Sequence, residues 1–525
     1  MSSELQEGVS EDEPIPGSRP SQRSQASYPQ RVFIDATYTL VSGRCSGIER
    51  VVTNLRQGCV QRAIDGGAQA ATLMSLGGEF YEVGAQEKEA IEDLARAQSH
   101  VLSSLPAAYR SAMRVLIRSL GSPRKLKKWF LPDPGHLGAF KLPYRFWYKR
   151  VLKKICSRTR RVQPSRGDLL ILPDAYWARK EIWPAAQAAR SKGAFVAVVV
   201  YDLIPLSHPE FVGSRRTQRF EEYLRQVARH ADIILTISDT VRRELVETLP
   251  EIMGGEAYCQ NITPFPLGSE FPQSHGQPRA ELVSLFSDVD SGDLNAGNSE
   301  FRNSEFSNSK FSNLTVRADA QKPYLTVAAF DPRKNHRYLL DAFDAFWEQF
   351  PERKLCLVGR TGSRCQDILQ RIEHHPRLGR QLFAFHDLSD AELQYCYRKC
   401  QGVIFPSIVE GFGLPIVEAL WHGQRTLASD TPIHREVGGG DCQYFDLASP
   451  GSLVDLLVGI EQAPHSVGRP SAQCNVNGWS ECTDTFYDKC LEAFYRIDTS
   501  LVPLDSRRAG IDNQPVTQVS HKKIA

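Results

Sequence analysis

SIVEGFGLPIVEAL, residues 407–420, sets Glu410 and Glu418 eight positions apart around a Gly-Phe-Gly-Leu-Pro turn. The preceding GVIFPS (402–407) is a short apolar, β-branched run and reads as a strand. The following IVEAL reads as a helix, and Pro415 suits a first helical turn. Gly411 and Gly413 permit unusual dihedrals and close backbone approach. The stretch is therefore a strand–loop–helix connection. The leading N–H groups of its helix have no intrahelical partner, so they make an anion seat. A carboxylate on either side of that seat accepts hydrogen bonds from hydroxyls. A phosphate flanked by two hydroxyl-bearing groups describes a nucleotide sugar, with the sugar on one side and the ribose on the other. Two acids eight apart are common by themselves; the weight falls on the whole string.

A second stretch points to the same cleft. AAFDPRKNH (328–336) leaves a strand and opens a helix. Arg333 and Lys334 stand where a helix start disfavours cations unless an anion compensates. They are candidates to neutralise a diphosphate and stabilise the charge that develops as a glycosidic bond breaks.

Outward from these motifs the chain alternates strand and helix. RVFIDATYTL, AQAATLMSL, GDLLIL, GAFVAVVVYD and ADIILTIS are apolar runs in the first half. KPYLTV, KLCLVG, QLFAFHD, GVIFPS and QRTLASD are their counterparts in the second. Runs without polar alternation suit strands buried on both faces, hence parallel sheets covered by helices. The expected organisation is a disordered tail (1–28), an N-terminal Rossmann-like, acceptor-binding domain (29–275) and a low-complexity flexible insertion (276–318). A C-terminal Rossmann-like domain for the nucleotide sugar (319–478), a helix crossing back to the N-terminal domain (479–499) and a second disordered tail (500–525) follow. The cleft between the domains, at the carboxyl ends of the strands, is the expected site. The insertion contains a five-residue repeat, NSEFR-NSEFS-NSKFS (298–312), whose period fits neither helix nor strand.

The 525 residues exceed one hydrophobic core, and 41% hydrophobic with 24% charged residues is a soluble globular composition. A net charge of +2 gives no ground for nucleic-acid binding by the chain as a whole. No apolar run reaches the ~18 residues of a membrane span. The N-terminus lacks a basic start and an apolar stretch, so the twelve cysteines are expected as reduced thiols in a cytosol. Between Arg110 and Arg166 the only acid is Asp133, and KLPYRFWYKRVLKKICSR (141–158) interleaves aromatics with cations. The basic insertion 110–166 is an expected contact with an anionic membrane surface, placing the protein at the inner face of the membrane. A solvated basic face and core aromatics beside snorkelling lysines are the competing uses.

The sequence resembles family 4 (group 1) glycosyltransferases of the GT-B fold, in which two Rossmann-like domains face each other across a cleft. The resemblance rests on the string 407–420, the PRKNH segment, KLCLVGRTGS (354–363), LSDAELQYCYRKCQGVIFPS and SDTPIHREVGGGDCQYFD (429–446). In the first half it rests on DATYTLVSGRCSGIERVV, YDLIPLSHPE (201–210), ADIILTISDTVRREL and PLGSEF (266–271). It implies retaining, metal-independent transfer of a hexosyl unit from a nucleotide sugar to a glycan or lipid-linked acceptor, with no cofactor. Glu410 would contact the donor sugar, Glu418 the ribose, and Arg333 and Lys334 the diphosphate. Backbone amides of the Gly411-Phe412-Gly413-Leu414 turn would complete the phosphate cradle, and Gly47 would approach the donor phosphates. The YDLIPLSHPE and SGIERVV variants look mannosyltransferase-like, which favours GDP-mannose over UDP sugars. One departure is Tyr201-Asp202, where many relatives carry His-Asp; it puts the histidine's sugar contact in doubt and leaves Asp202 as a cleft residue. The alternative is a GT-B-like protein that binds nucleotide sugar without transfer, as scaffold or sensor.

Overall fold

The computed structural model describes residues 29–42, 47–91, 93, 159–178, 180–270, 276–286, 322–362, 364–462 and 477–497. The repeat at 298–312, both tails and most of the basic insertion lie outside these residues.

The N-terminal sheet has eight strands. They are β1 (Arg31–Asp35), β2 (Gln69–Leu76), β3 (Glu79–Glu82), β4 (Arg161–Val162), β5 (Asp168–Leu172), β6 (Phe195–Val200), β7 (Ile233–Thr236) and β8 (Ile262–Pro264), in the order β4-β3-β2-β1-β5-β6-β7-β8. Seven of them run in one direction; only β3 opposes them, pairing antiparallel with β2 and with β4 at one edge. The unbroken FVAVVV of β6 is buried at every position, because apolar layers cover both faces of the sheet.

The C-terminal sheet is wholly parallel, with β9 (Tyr324–Val327), β10 (Leu355–Val358), β11 (Leu382–Phe385), β12 (Gly402–Phe405), β13 (Thr426–Ser429) and β14 (Cys442–Phe445) in the order β11-β10-β9-β12-β13-β14. The order reverses between β9 and β12. A crevice opens at such a reversal, and the loops leaving these two strands carry Arg333-Lys334 and Glu410. The two domains meet with the carboxyl ends of their strands opposed, which is the GT-B arrangement.

The chain's last described helix, Trp479–Ile497, packs on the helix Gly47–Asp65 of the N-terminal domain. Phe486 and Phe494 lie against Phe265 and Phe195 with ring centroids 4.9 and 5.6 Å apart. A Cβ at Gly58 would stand 2.4 Å from Thr483 Cγ2, so glycine lets the two helices touch.

The boundary drawn for the low-complexity insertion needs correcting. Ala280–Phe286 is a helix whose Leu282, Leu285 and Phe286 enter the C-terminal core beside Leu325 and Val358. Their i, i+3, i+4 spacing makes one apolar stripe. Arg279, just before it, donates from Nε to Glu392 Oε1 at 2.6 Å. Glu392 also closes the capping box with Ser389 at the start of the helix Asp390–Lys399. The C-terminal domain therefore draws on residues from about 279 onward.

Candidate functional site

Arg333 follows β9 in the 3-10 turn Pro332–Lys334, whose entry is fixed by Asp331 accepting the Arg333 N–H at 3.3 Å. Asn335 then takes a left-handed conformation (φ 55°) and lets the helix His336–Gln349 begin. Across the switch point, the loop after β12 is tied to this turn by Ile408 N–H donating to Arg333 O at 2.8 Å. The result is a close three-residue cluster. Arg333 Nη1 donates to Glu410 Oε2 at 2.6 Å and to Val409 O at 3.3 Å, while Lys334 Nζ donates to Glu410 Oε1. The Glu410 side chain is 8% exposed and Lys334's 11%. Burial alone would raise the Glu410 carboxyl; Lys334 and Arg333 overcome it and hold it at about 2. Burial lowers Lys334, against the pull of Glu410.

The structure thus brings Arg333, Lys334 and Glu410 together as one charge cluster, in which the acid occupies the cations that the sequence assigns to a diphosphate. Gly413 caps the helix Leu414–Trp421 in a left-handed conformation (φ 101°), which requires glycine, and Pro415 lies in the first turn. The start of this helix faces the other domain. A Cβ at Gly47, the first residue of the helix Gly47–Asp65, would lie 3.1 Å from Leu414 Cδ1. Two helix N-termini, each favouring negative charge, therefore abut. Phe412 and Leu414 extend onto the N-terminal core.

At Gly411 the backbones of the two domains come close together. A Cβ there would be 2.3 Å from Tyr201 O and 3.0 Å from Asp202 Cβ, and Ser238 Oγ donates to Gly411 O at 3.0 Å. Glu436 caps the helix Asp239–Met253 from the opposite domain, accepting the Asp239 and Thr240 N–H groups at 2.6 and 2.8 Å. Asp202 follows β6 and accepts the Ile204 N–H at 3.1 Å. Burial pushes it up to about 6, with Arg333 pulling the other way and Glu410 adding to the rise. Tyr201 does not replace a sugar-facing histidine. Its hydroxyl turns into the N-terminal domain and donates to Pro173 O at 2.5 Å.

Glu418 lies apart from the Arg333 cluster, in the middle of its helix and 4% exposed. One oxygen accepts from Arg50 Nη1 of the N-terminal domain, the other from the Tyr397 hydroxyl at 2.7 Å. Sequence reasoning missed Arg50, Tyr397, Ser238 and His434. All four lie on the motif strings, Arg50 three residues after Gly47 in SGIER, but nothing in the strings singles out these side chains or their partners. His434 is fully buried, and its Nδ1 sits 2.9 Å from Ser429 O, which makes that nitrogen the donor. Its Nε2 is then an acceptor, without a partner among the described residues.

Residues 310–439, which carry the Arg333, Glu410 and Glu418 motifs, match the family model described as Glycosyl transferases group 1. The serotype-specific mannosyltransferase WbdA of Escherichia coli is 26% identical over 294 residues, 56% of this chain and 33% of that protein. The O-antigen chain mannosyltransferase RfbU of Salmonella typhimurium is 26% identical over 153 residues, 29% of this chain and 42% of that protein. The chain spans about a third of the length of WbdA. Among solved structures, Anabaena Alr3699/HepE in complex with UDP aligns over 90% of this chain and 99% of its own, at 12% identity and a TM-score of 0.44.

Proposed function

We propose that the protein is a glycosyltransferase of polysaccharide or glycoconjugate assembly, moving a hexosyl unit from a nucleotide sugar to a glycan or lipid-linked acceptor. The observation that carries this reading is the Arg333–Lys334–Glu410 cluster at the switch point of the C-terminal sheet, beside two abutting helix N-termini. The match of residues 310–439 to group 1 glycosyl transferases and the identity with mannosyltransferases support it, and the latter favour GDP-mannose as donor. Transfer is retaining and needs no metal. Peripheral attachment at the inner face of a membrane, through 110–166, belongs to the same reading.

In this account the donor's diphosphate takes over Arg333 and Lys334, and Glu410 turns to the hydroxyls of the sugar. The bond from the anomeric carbon to the diphosphate oxygen breaks as the acceptor oxygen bonds to the same face. The acceptor's proton passes to the leaving phosphate oxygen, whose charge the two cations stabilise. Among the described residues the Glu410 carboxylate is held by Arg333 and Lys334, so this reading gives it hydroxyl contacts and charge stabilisation and does not use a covalent route of the two-carboxylate kind. A thermal-shift panel of GDP, UDP, ADP and dTDP sugars, followed by assay of the stabilising donor for a new glycoside, tests the proposal. A ligand at a hundred times its Kd adds ~2.7 kcal/mol. Stabilisation without any turnover across acceptors would instead favour a nucleotide-sugar-binding scaffold.

A further inference from the structure

Glu418 is the candidate donor residue whose carboxylate is held from across the domain boundary. Arg50 reaches it from the first turn of the helix Gly47–Asp65, and Tyr397 holds the other oxygen from the helix Asp390–Lys399. A cation in a first helical turn opposes the helix dipole, so it needs a compensating anion. Glu418 supplies one. The pair is well shielded: Glu418's side chain is 6% exposed and Arg50's 25%. One turn before Arg50, Gly47 rests on Leu414, the first residue of the helix that carries Glu418. The ion pair therefore sits about one helical turn beyond the Gly47–Leu414 contact of the two helix starts. A carboxylate has about four acceptor sites. Arg50 and Tyr397 take one on each oxygen, which leaves acceptor capacity for the two hydroxyls of a ribose.

We propose that Arg50 is a donor-positioning residue supplied by the opposite domain: it fixes the Glu418 carboxylate for the ribose hydroxyls and so couples nucleotide binding to domain closure. The inference rests on the reading of Glu418 as the ribose contact. It assigns Arg50 a role through Glu418, distinct from that of the phosphate cations Arg333 and Lys334. Lysine cannot reproduce it fully, because the guanidinium is a planar fork and the ammonium a compact point charge.

The test is a double-mutant cycle between side chain and ligand, on the full chain. Calorimetry measures GDP and UDP, and their 2′,3′-dideoxy forms, against wild type, Arg50→Ala, Arg50→Lys and Glu418→Gln. Circular dichroism checks that each variant is folded, and Arg50→Lys carries the test should Arg50→Ala not fold. The expected result for the nucleotide that binds is a loss of at least tenfold in Arg50→Ala. Arg50→Lys falls between it and wild type, and the loss shrinks to less than threefold with the dideoxy ligand. An equal loss with both ligands, or none with either, would overturn the inference. Should Glu418→Gln bind the ribonucleotide as wild type does, the ribose reading itself falls. A loss in Glu418→Gln with none in Arg50→Ala or Arg50→Lys removes only the role of Arg50.

Discussion

Arg333 and Glu410 form an ion pair at 2.6 Å between the loops leaving two adjacent strands, β9 and β12. With Lys334 on its other oxygen, the acid offsets one of the two positive charges assigned to the diphosphate. A nucleoside diphosphate must displace it. Glu410→Gln should therefore bind nucleoside diphosphate at least tenfold more tightly than wild type, ~1.4 kcal/mol, while turnover falls. Calorimetry beside steady-state assay checks both parts. Near-normal turnover would remove Glu410 from any role in the reaction.

Arg333→Ala should lower kcat/KM at least a hundredfold, ~2.7 kcal/mol of transition-state binding, because the leaving group loses its fork of donors. Steady-state assay with the native donor reads this directly. An unchanged rate would refute the diphosphate assignment.

Gly411→Ala should hold the domains apart. The new methyl would collide with the Tyr201 backbone carbonyl, which cannot swing away as a side chain can. Small-angle scattering should show a larger radius of gyration than wild type, and turnover should fall at least tenfold. Each domain keeps its own core, so the far-ultraviolet dichroism spectrum should not change.

Stability should depend on pH in two opposite ways. Glu410 is held at about 2 against its ordinary 4.5, so its contribution is present above that ordinary value and is lost as pH falls through 2. Asp202, at about 6, and Asp174, raised to about 7 first by burial and then by Asp35, bind protons more tightly when folded than their ordinary 3.8. Their sign is reversed: stability falls as pH rises from about 4 towards 7. Urea midpoints should therefore be higher near pH 5 than near pH 7.5, and Asp202→Asn should flatten part of that slope. A slope unchanged in Asp202→Asn would contradict the burial of this acid.

Much of this was legible because the central strands are short, apolar and followed by glycine, proline or charged loops. β12, its loop and the helix after it follow directly from the opening stretch, as does Gly413's need for a left-handed conformation. The edge strands were not legible. Arg161–Val162 has two residues, and Glu79–Glu82 lacks the apolar run of a doubly buried strand. The helix Ala280–Phe286 was hidden by the polar sequence around it, since one apolar stripe of three residues is weak beside a long Asn/Ser tract. Within the site, the residues on the motif strings could be named, but their partners could not. Arg50 meets Glu418 across 368 positions of sequence, a pairing fixed only by domain closure. Tyr201's inward turn likewise depends on the Pro173 carbonyl, which no local pattern announces.

The most direct test of the phosphate seat is calorimetric titration of nucleotide sugars, GDP-mannose and UDP-glucose among them, into wild type and the Arg333→Ala/Lys334→Ala double variant. The expected result is saturable binding of at least one donor to wild type, weakened a hundredfold or more in the double variant. Equal affinity for the two proteins, or no binding of any donor to wild type, would contradict the account.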